Sequence, residues 1–92
     1  MSLQSQLKNI PTSPGVYRFT NENKEIIYIG KAKSLRHRVR SYFQQQRLAD
    51  QKTEVLRGCI RDLDYIVTDS EVEALMLESN LVKKQQPLFN VN

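Results

Sequence analysis

The chain has 92 residues, 39% of them hydrophobic and 26% charged, with a formal net charge of +4. That length holds one compact core, and the composition excludes a disordered tail. No apolar run reaches the roughly 20 residues that span a bilayer, residues 1–10 lack a secretory-signal pattern, and the lone Cys59 excludes an internal disulfide or a multi-cysteine zinc site.

Residues 1–10 allow a short helix. Pro11, Pro14 and Gly15 punctuate the chain before Val16-Tyr17-Arg18-Phe19-Thr20, a β-branched and aromatic run that reads as a strand. Residues 21–24 have turn composition, and Glu25-Ile26-Ile27-Tyr28-Ile29 reads as a second strand ended by Gly30, closing a hairpin. A four-residue loop sets Thr20 opposite Glu25, Phe19 opposite Ile26, Tyr17 opposite Tyr28 and Gly15 opposite Gly30. Tyr17, Phe19, Ile26 and Tyr28 then share one face. Ser34 suits an N-cap. After it, Leu35, Val39, Tyr42 and Phe43 follow helical spacing. Arg36, His37 and Arg40 point away from that stripe, whereas Arg38 borders it. Residues 44–51 are polar loop or frayed helix. Residues 53–63 carry Val55, Leu56, Cys59, Ile60 and Leu63 at helical spacing, weakened by Gly58. A third strand at 64–68 follows. Asp69 or Ser70 caps a final helix, with Glu71 and Glu73 suiting its dipole, and Pro87 ends it. Residues 88–92 form a tail with a short extended piece. Cys59 reads as a structural thiol in a reducing cytoplasm.

Six cations and no carboxylate lie between Lys31 and Arg47: Lys31, Lys33, Arg36, Arg38, Arg40 and Arg47. A one-signed surface of this kind suits polyphosphate. A solvated helix face is the alternative. Glu78 stands out on the last helix, because Ala74, Leu75, Leu81 and Val82, its helical neighbours, are all apolar. A carboxylate there is paired, with Arg38 or another cation, or it binds metal. Tyr17 and Tyr28 are either a cross-strand core pair or a pair with one hydroxyl that moves a proton in a cleft. His37 is a surface residue or at most a phosphate contact, and a single histidine offers neither a metal cluster nor a catalytic triad.

Gly15-Val16-Tyr17 and Tyr28-Ile29-Gly30 together resemble the paired tripeptides of the GIY-YIG nucleases. The continuation from Lys31 through Arg36, with Arg38-Val39 and Ser41-Tyr42-Phe43, is similar to the UvrC branch. So is the run from Thr68 through Leu75, followed by Leu77-Glu78, Asn80-Leu81, Lys83-Lys84, Pro87 and Asn90. The resemblance implies an α+β fold, a three-stranded antiparallel sheet flanked by helices. It implies one domain over residues 1–92, excised from the N-terminus of a longer protein. It also implies metal-dependent phosphodiester hydrolysis, the 3′ incision of bacterial nucleotide excision repair. Glu78 matches the ligand of one Mg²⁺ or Mn²⁺, Tyr28 the general base, Tyr17 its partner, and Arg38 the group that stabilises phosphate charge. Lys31, Tyr42 and Asn90 match further active-site positions. The implied partners are damaged double-stranded DNA and, through other parts of the longer protein, UvrB. No membrane is involved. Lys33, Arg36 and Arg40 are expected to contact DNA. The alternatives are a stand-alone or UvrC-like endonuclease, or a non-catalytic DNA-binding or docking module of the same fold.

Overall fold

In a computed structural model, which describes residues 3–44 and 50–90, the hairpin forms where the β-branched and aromatic runs lie. Strand β1 is Gly15–Thr20 and β2 is Ile26–Ala32. β2 therefore runs through Gly30 rather than ending there. The loop also differs from the expectation. Asn21 pairs its backbone with Glu25, its side chain accepts from the Asn23 and Glu25 amides, and Lys24 sits in the left-handed region at φ 64°. This is a three-residue hairpin loop. A register shift between Phe19 and Thr20 then leaves Ile27 without a partner, a β-bulge. Together they offset the pairing by two residues: Tyr17 faces Gly30, Phe19 faces Tyr28 and Gly15 faces Ala32. A two-residue offset preserves side-chain parity, so Tyr17, Phe19 and Tyr28 still share a face. Ile26 does not share it, because the bulge turns it to the opposite side, where it joins Val16 and Ile29.

Gly30 has a specific reason to lack a side chain. A Cβ there would lie 2.3 Å from the Tyr17 hydroxyl oxygen and 2.4 Å from Cζ, so the phenol lies across the glycine backbone.

The sheet order is β2-β1-β3, all antiparallel, with β3 at Asp62–Val67. One face carries the larger core. There Tyr17, Phe19, Ile27, Leu63 and Ala32 meet Ile10, Leu35 and Val39, together with Leu56 and Ile60. Helix α1, Leu3–Lys8, adds Leu3 and Leu7 to its margin. Helix α2, Leu35–Ser41, buries Leu35 and Val39, one turn apart. Ser34 occupies its cap position, but its hydroxyl makes no cap bond and is buried without a partner among the described residues. Helix α3, Gln51–Cys59, is capped by Asp50, whose carboxylate accepts from the Thr53 amide at 2.7 Å. It stops four residues short of the expected end. Ile60 is already extended, Arg61 donates to the Thr20 carbonyl, and Leu63 pairs opposite Phe19, so strand pairing takes residues whose spacing also fitted a helix. Most of the loop expected at 44–51 lies outside the described residues.

Helix α4, Glu71–Gln85, covers the other face, where Ala74 packs on Val16 and Ile29. Ser70 caps it through the Glu73 amide. Glu71 and Glu73 begin it and Lys83 and Lys84 end it, in the sense the helix dipole favours. Gln86, at φ 48°, turns the chain out of the helix into buried Pro87 and a turn through Asn90. Over residues 88–90 this turn, rather than an extended piece, docks on β2, and residues 91–92 of the expected tail lie outside the described residues. The three-stranded antiparallel sheet with flanking helices is the architecture that the resemblance implied.

Candidate active site

Three phenols and one guanidinium converge where α2 meets the hairpin. Tyr17 projects from β1, Tyr28 from the edge strand β2, and Tyr42 from the turn that ends α2. Their ring centroids are 6.0–6.3 Å apart. The Tyr17 and Tyr42 hydroxyls hydrogen-bond at 3.0 Å. The Arg38 guanidinium carbon lies 5.9 Å from the Tyr42 ring centroid, a cation–π contact.

The environments of the two hairpin tyrosines differ. Tyr17 is buried. Burial, then the charge and hydroxyl of Tyr42, hold its phenol far above the ordinary value of about 10, with Arg38 pulling weakly the other way. Tyr28 is half-buried. Burial, then Tyr42, push it up to about 12, while the Arg38 charge draws it down and the Glu78 carboxylate raises it. Arg38, in turn, is held more firmly charged by the Tyr17 hydroxyl. The cluster is one electrostatic unit, and Tyr28 is the more accessible of the two hairpin phenols.

Glu78 comes to this unit from α4. It is half-buried rather than sealed in the core, and its charge reaches the Tyr28 phenol. The ion pairs among the described residues are Arg18 with Asp64 and Arg57 with Glu54, so Glu78 is not paired with Arg38. A partly desolvated carboxylate with no ion partner suits a cation. Among the described residues no group of three His, Cys, Asp or Glu side chains could share that cation. A Mg²⁺ ion, which keeps several waters and takes one or two carboxylates, fits such a donor set.

The other expected site residues separate into groups. Lys31, opposite Val16 near the end of β2, is exposed and lines the same groove as Arg38. Lys33 lines that groove too. Asn90 acts on the backbone: its side-chain oxygen accepts from the Ile29 amide and its nitrogen donates to the Ile29 carbonyl, both at 2.8 Å. The amide thus stands in for a neighbouring strand beside Tyr28. Arg36 and Arg40 turn toward the N-terminal segment, with Nε donating to the Ile10 carbonyl at 2.7 Å and the Leu7 carbonyl at 3.1 Å. Sequence reasoning missed Thr12 and Ser41, which complete the groove beyond Arg38. Thr12 sits in an aperiodic loop, and no pattern ties it to α2.

Three phenols, a guanidinium and a half-buried carboxylate without an ion partner among the described residues thus gather around the hairpin, and they are residues that the resemblance to the GIY-YIG nuclease class singled out. The family model for the UvrC-like GIY-YIG domain matches residues 13–91. The chain belongs to that family. It is 52% identical over 90 residues to UvrABC system protein C of Chlorobium luteolum and 54% over 91 residues to that of Chlorobaculum tepidum. These alignments cover 98% and 99% of this chain but only 14% of either relative. The GIY-YIG N-terminal endonuclease domain of Thermotoga maritima UvrC, solved with its catalytic magnesium, matches at a TM-score of 0.83 and 41% identity. That match covers 96% of this chain and 94% of the other. A point mutant of the same domain, bound to its catalytic divalent cation, also matches at 0.83, with 39% identity.

Proposed function

We propose that this domain hydrolyses a phosphodiester bond in DNA with a divalent cation, Mg²⁺ or Mn²⁺, held on Glu78. It serves as the 3′ incision module of a nucleotide excision-repair nuclease working in the cytoplasm. The observation that carries the reading is the Glu78 carboxylate: half-buried, without an ion partner among the described residues, and close enough to influence the Tyr28 phenol. Among the described residues no helix is long and apolar enough to cross a membrane. Damaged duplex DNA is the substrate, and UvrB is engaged through parts of the longer protein.

Each side chain has a distinct task. The Tyr28 hydroxyl oxygen, as phenolate, takes a proton from the attacking water. The water oxygen bonds to phosphorus, the opposite P–O bond breaks, and the departing oxygen takes a proton from solvent water. Arg38 stabilises the negative charge that grows on the phosphate oxygens. Tyr17 and Tyr42, hydrogen-bonded to each other, fix Arg38 and the Tyr28 ring. Lys31 adds positive charge beside Arg38, and Asn90 holds the strand that carries Tyr28. A phenol near 12 is almost wholly protonated at neutral pH. When bound, the cation supplies positive charge that polarises the phosphate and favours the ionised phenol.

The deciding experiment is Glu78→Gln, assayed for Mg²⁺-dependent nicking and, separately, for DNA affinity. Metal-ion stabilisation is worth several kcal/mol, and each ~1.4 kcal/mol is tenfold, so nicking should fall by about a thousandfold. Affinity should hold within about twofold, because cationic groups supply it. Nicking at the unmodified rate would overturn the metal assignment.

A further inference from the structure

Two cavities flank the exposed lysines at the end of β2, and they differ in charge. One, of about 380 Å³, lies between Lys31, Lys33 and the start of α4, with Glu71 and the apolar Val72, Ala74 and Leu75 as its far wall. The other, a groove of about 790 Å³, runs from the same lysines toward α2. Its remaining walls are Arg38, His37, Ser34 and the hydroxyl-bearing Thr12 and Ser41, and among the described residues no carboxylate lines it.

We propose that this groove seats the sugar-phosphate backbone of the DNA strand beside the scissile phosphate, with Lys33 and His37 as its phosphate contacts. The inference rests on the endonuclease reading and adds to it a binding subsite and a path for the strand. The groove is continuous with the candidate active site through Lys31 and Arg38, so a strand held at Arg38 enters it directly. Lys31, Lys33 and His37 are exposed, and none has an ion partner among the described residues. The positive potential of the two lysines is therefore open to a polyanion, and the exposed His37 imidazole can donate an N–H to a phosphate oxygen. Glu71 makes the smaller cavity the poorer choice.

The far wall is held in place before DNA arrives. The Leu35 and Arg36 amides donate to the Ser13 and Pro11 carbonyls, and the Arg36 and Arg40 guanidiniums bind the carbonyls of Ile10 and Leu7. The polar side chains of α2 thus divide: Arg36 and Arg40 fasten the loop that carries Thr12, while His37 and Arg38 face the groove.

The test uses the intact chain and a duplex with single methylphosphonates scanned across positions near the cut. In the unmodified chain, one neutralised phosphate within a few positions of the cut weakens binding. In the Lys33→Gln/His37→Gln double variant that same neutralisation adds no further loss, because the contact is already gone. Lys33→Gln alone lowers the slope of log affinity against log salt by about one. Lys84→Gln, which removes an equal charge at the far end of α4, leaves slope and nicking unchanged. If the double variant keeps the full salt slope, or its losses multiply independently with every methylphosphonate, the groove assignment is overturned while the endonuclease reading stands. If the unmodified chain shows no Mg²⁺-dependent nicking, the endonuclease reading falls and takes this one with it.

Discussion

The two outer strands of the sheet share the partner β1, yet their free edges are treated differently. Along β2 the edge is occupied. Phe89 donates its amide to the Ile27 carbonyl at 3.0 Å, and the Asn90 amide closes on both polar groups of Ile29. Along β3, Gln6 reaches the Leu63 carbonyl at 3.2 Å. Beyond it Tyr65, Ile66 and Val67 are 38%, 37% and 50% exposed. The candidate chemistry sits on the guarded edge. A phenol and a lysine that must meet a phosphate in fixed geometry gain from a backbone that cannot slide or fray, and an exposed edge strand does both more readily. The comparison makes β2 a positioned scaffold and β3 a sheet-completing strand, and substitutions along each edge separate the two roles.

The largest effect should come from the chemical group that β2 carries. Tyr28→Phe removes the hydroxyl and keeps the ring, so the fold should survive while nicking falls by about 10²–10⁴, the range for a general base. The pH profile gives a sharper reading. Only the phenolate accepts a proton, and its pKa is raised to about 12. Below that value the active form grows as pH rises, so log rate should climb with pH at a slope near one. The bound cation should pull the plateau to lower pH. Tyr28→Phe should abolish the climb. A wild-type profile flat from neutral to alkaline pH would exclude the phenol as base.

Next is the glycine beneath Tyr17. Gly30→Ala places a methyl 2.3 Å from the Tyr17 hydroxyl oxygen, so the ring must move. Overpacking of this kind costs about 1–3 kcal/mol, and displacing Tyr17 disturbs Tyr42 and Arg38, so stability and nicking should fall together. At Gly58 a new Cβ meets nothing within 4 Å. There the same change should stabilise by up to about 0.5–1 kcal/mol, because alanine suits a helix better than glycine even in its last turn. Thermal melts of the two variants should move in opposite directions.

These two glycines also show how far the sequence could be read. Gly30 looks like a strand terminator, and only the offset register reveals it as the bed for a phenol. The order of elements was legible because periods of two and 3.6 are distinct. The register was not. It depends on Lys24 adopting a left-handed conformation that its residue type does not announce, and on a bulge that leaves no composition signal. The end of α3 was misread because Ile60 and Leu63 face the core under either geometry. Glu78 was legible as an anomaly, a carboxylate in an apolar stripe. What resolves it is the packing of α4, which leaves it half-buried, its charge reaching Tyr28, without an ion partner among the described residues. Thr12 could not be found, since loop-to-helix contacts have no period.

Asn90→Ala tests the guard on β2 more gently. It removes two hydrogen bonds at 2.8 Å and leaves the Ile29 amide and carbonyl to water, a loss of about 1–2 kcal/mol. Because Ile29 neighbours Tyr28, nicking should drop by more than the fraction unfolded explains, and hydrogen exchange at the Ile29 amide should quicken. Unchanged protection at Ile29 would show that the edge holds without its clasp.

The smallest effect should appear on the open edge. Val67 is half-exposed and lies opposite Gly15 at the end of β3. Val67→Lys therefore removes little buried surface and adds a charge that water can solvate, so melting should shift by no more than about 0.5 kcal/mol. Nicking should be unaltered. An edge lysine also discourages strand-to-strand association, so the variant should aggregate less at high concentration. A destabilisation above about 1 kcal/mol, where a solvated position predicts about 0.5 at most, would mean that Val67 is anchored as firmly as the β2 residues. The contrast between the edges would then reflect the length of exposed strand rather than how each edge is held.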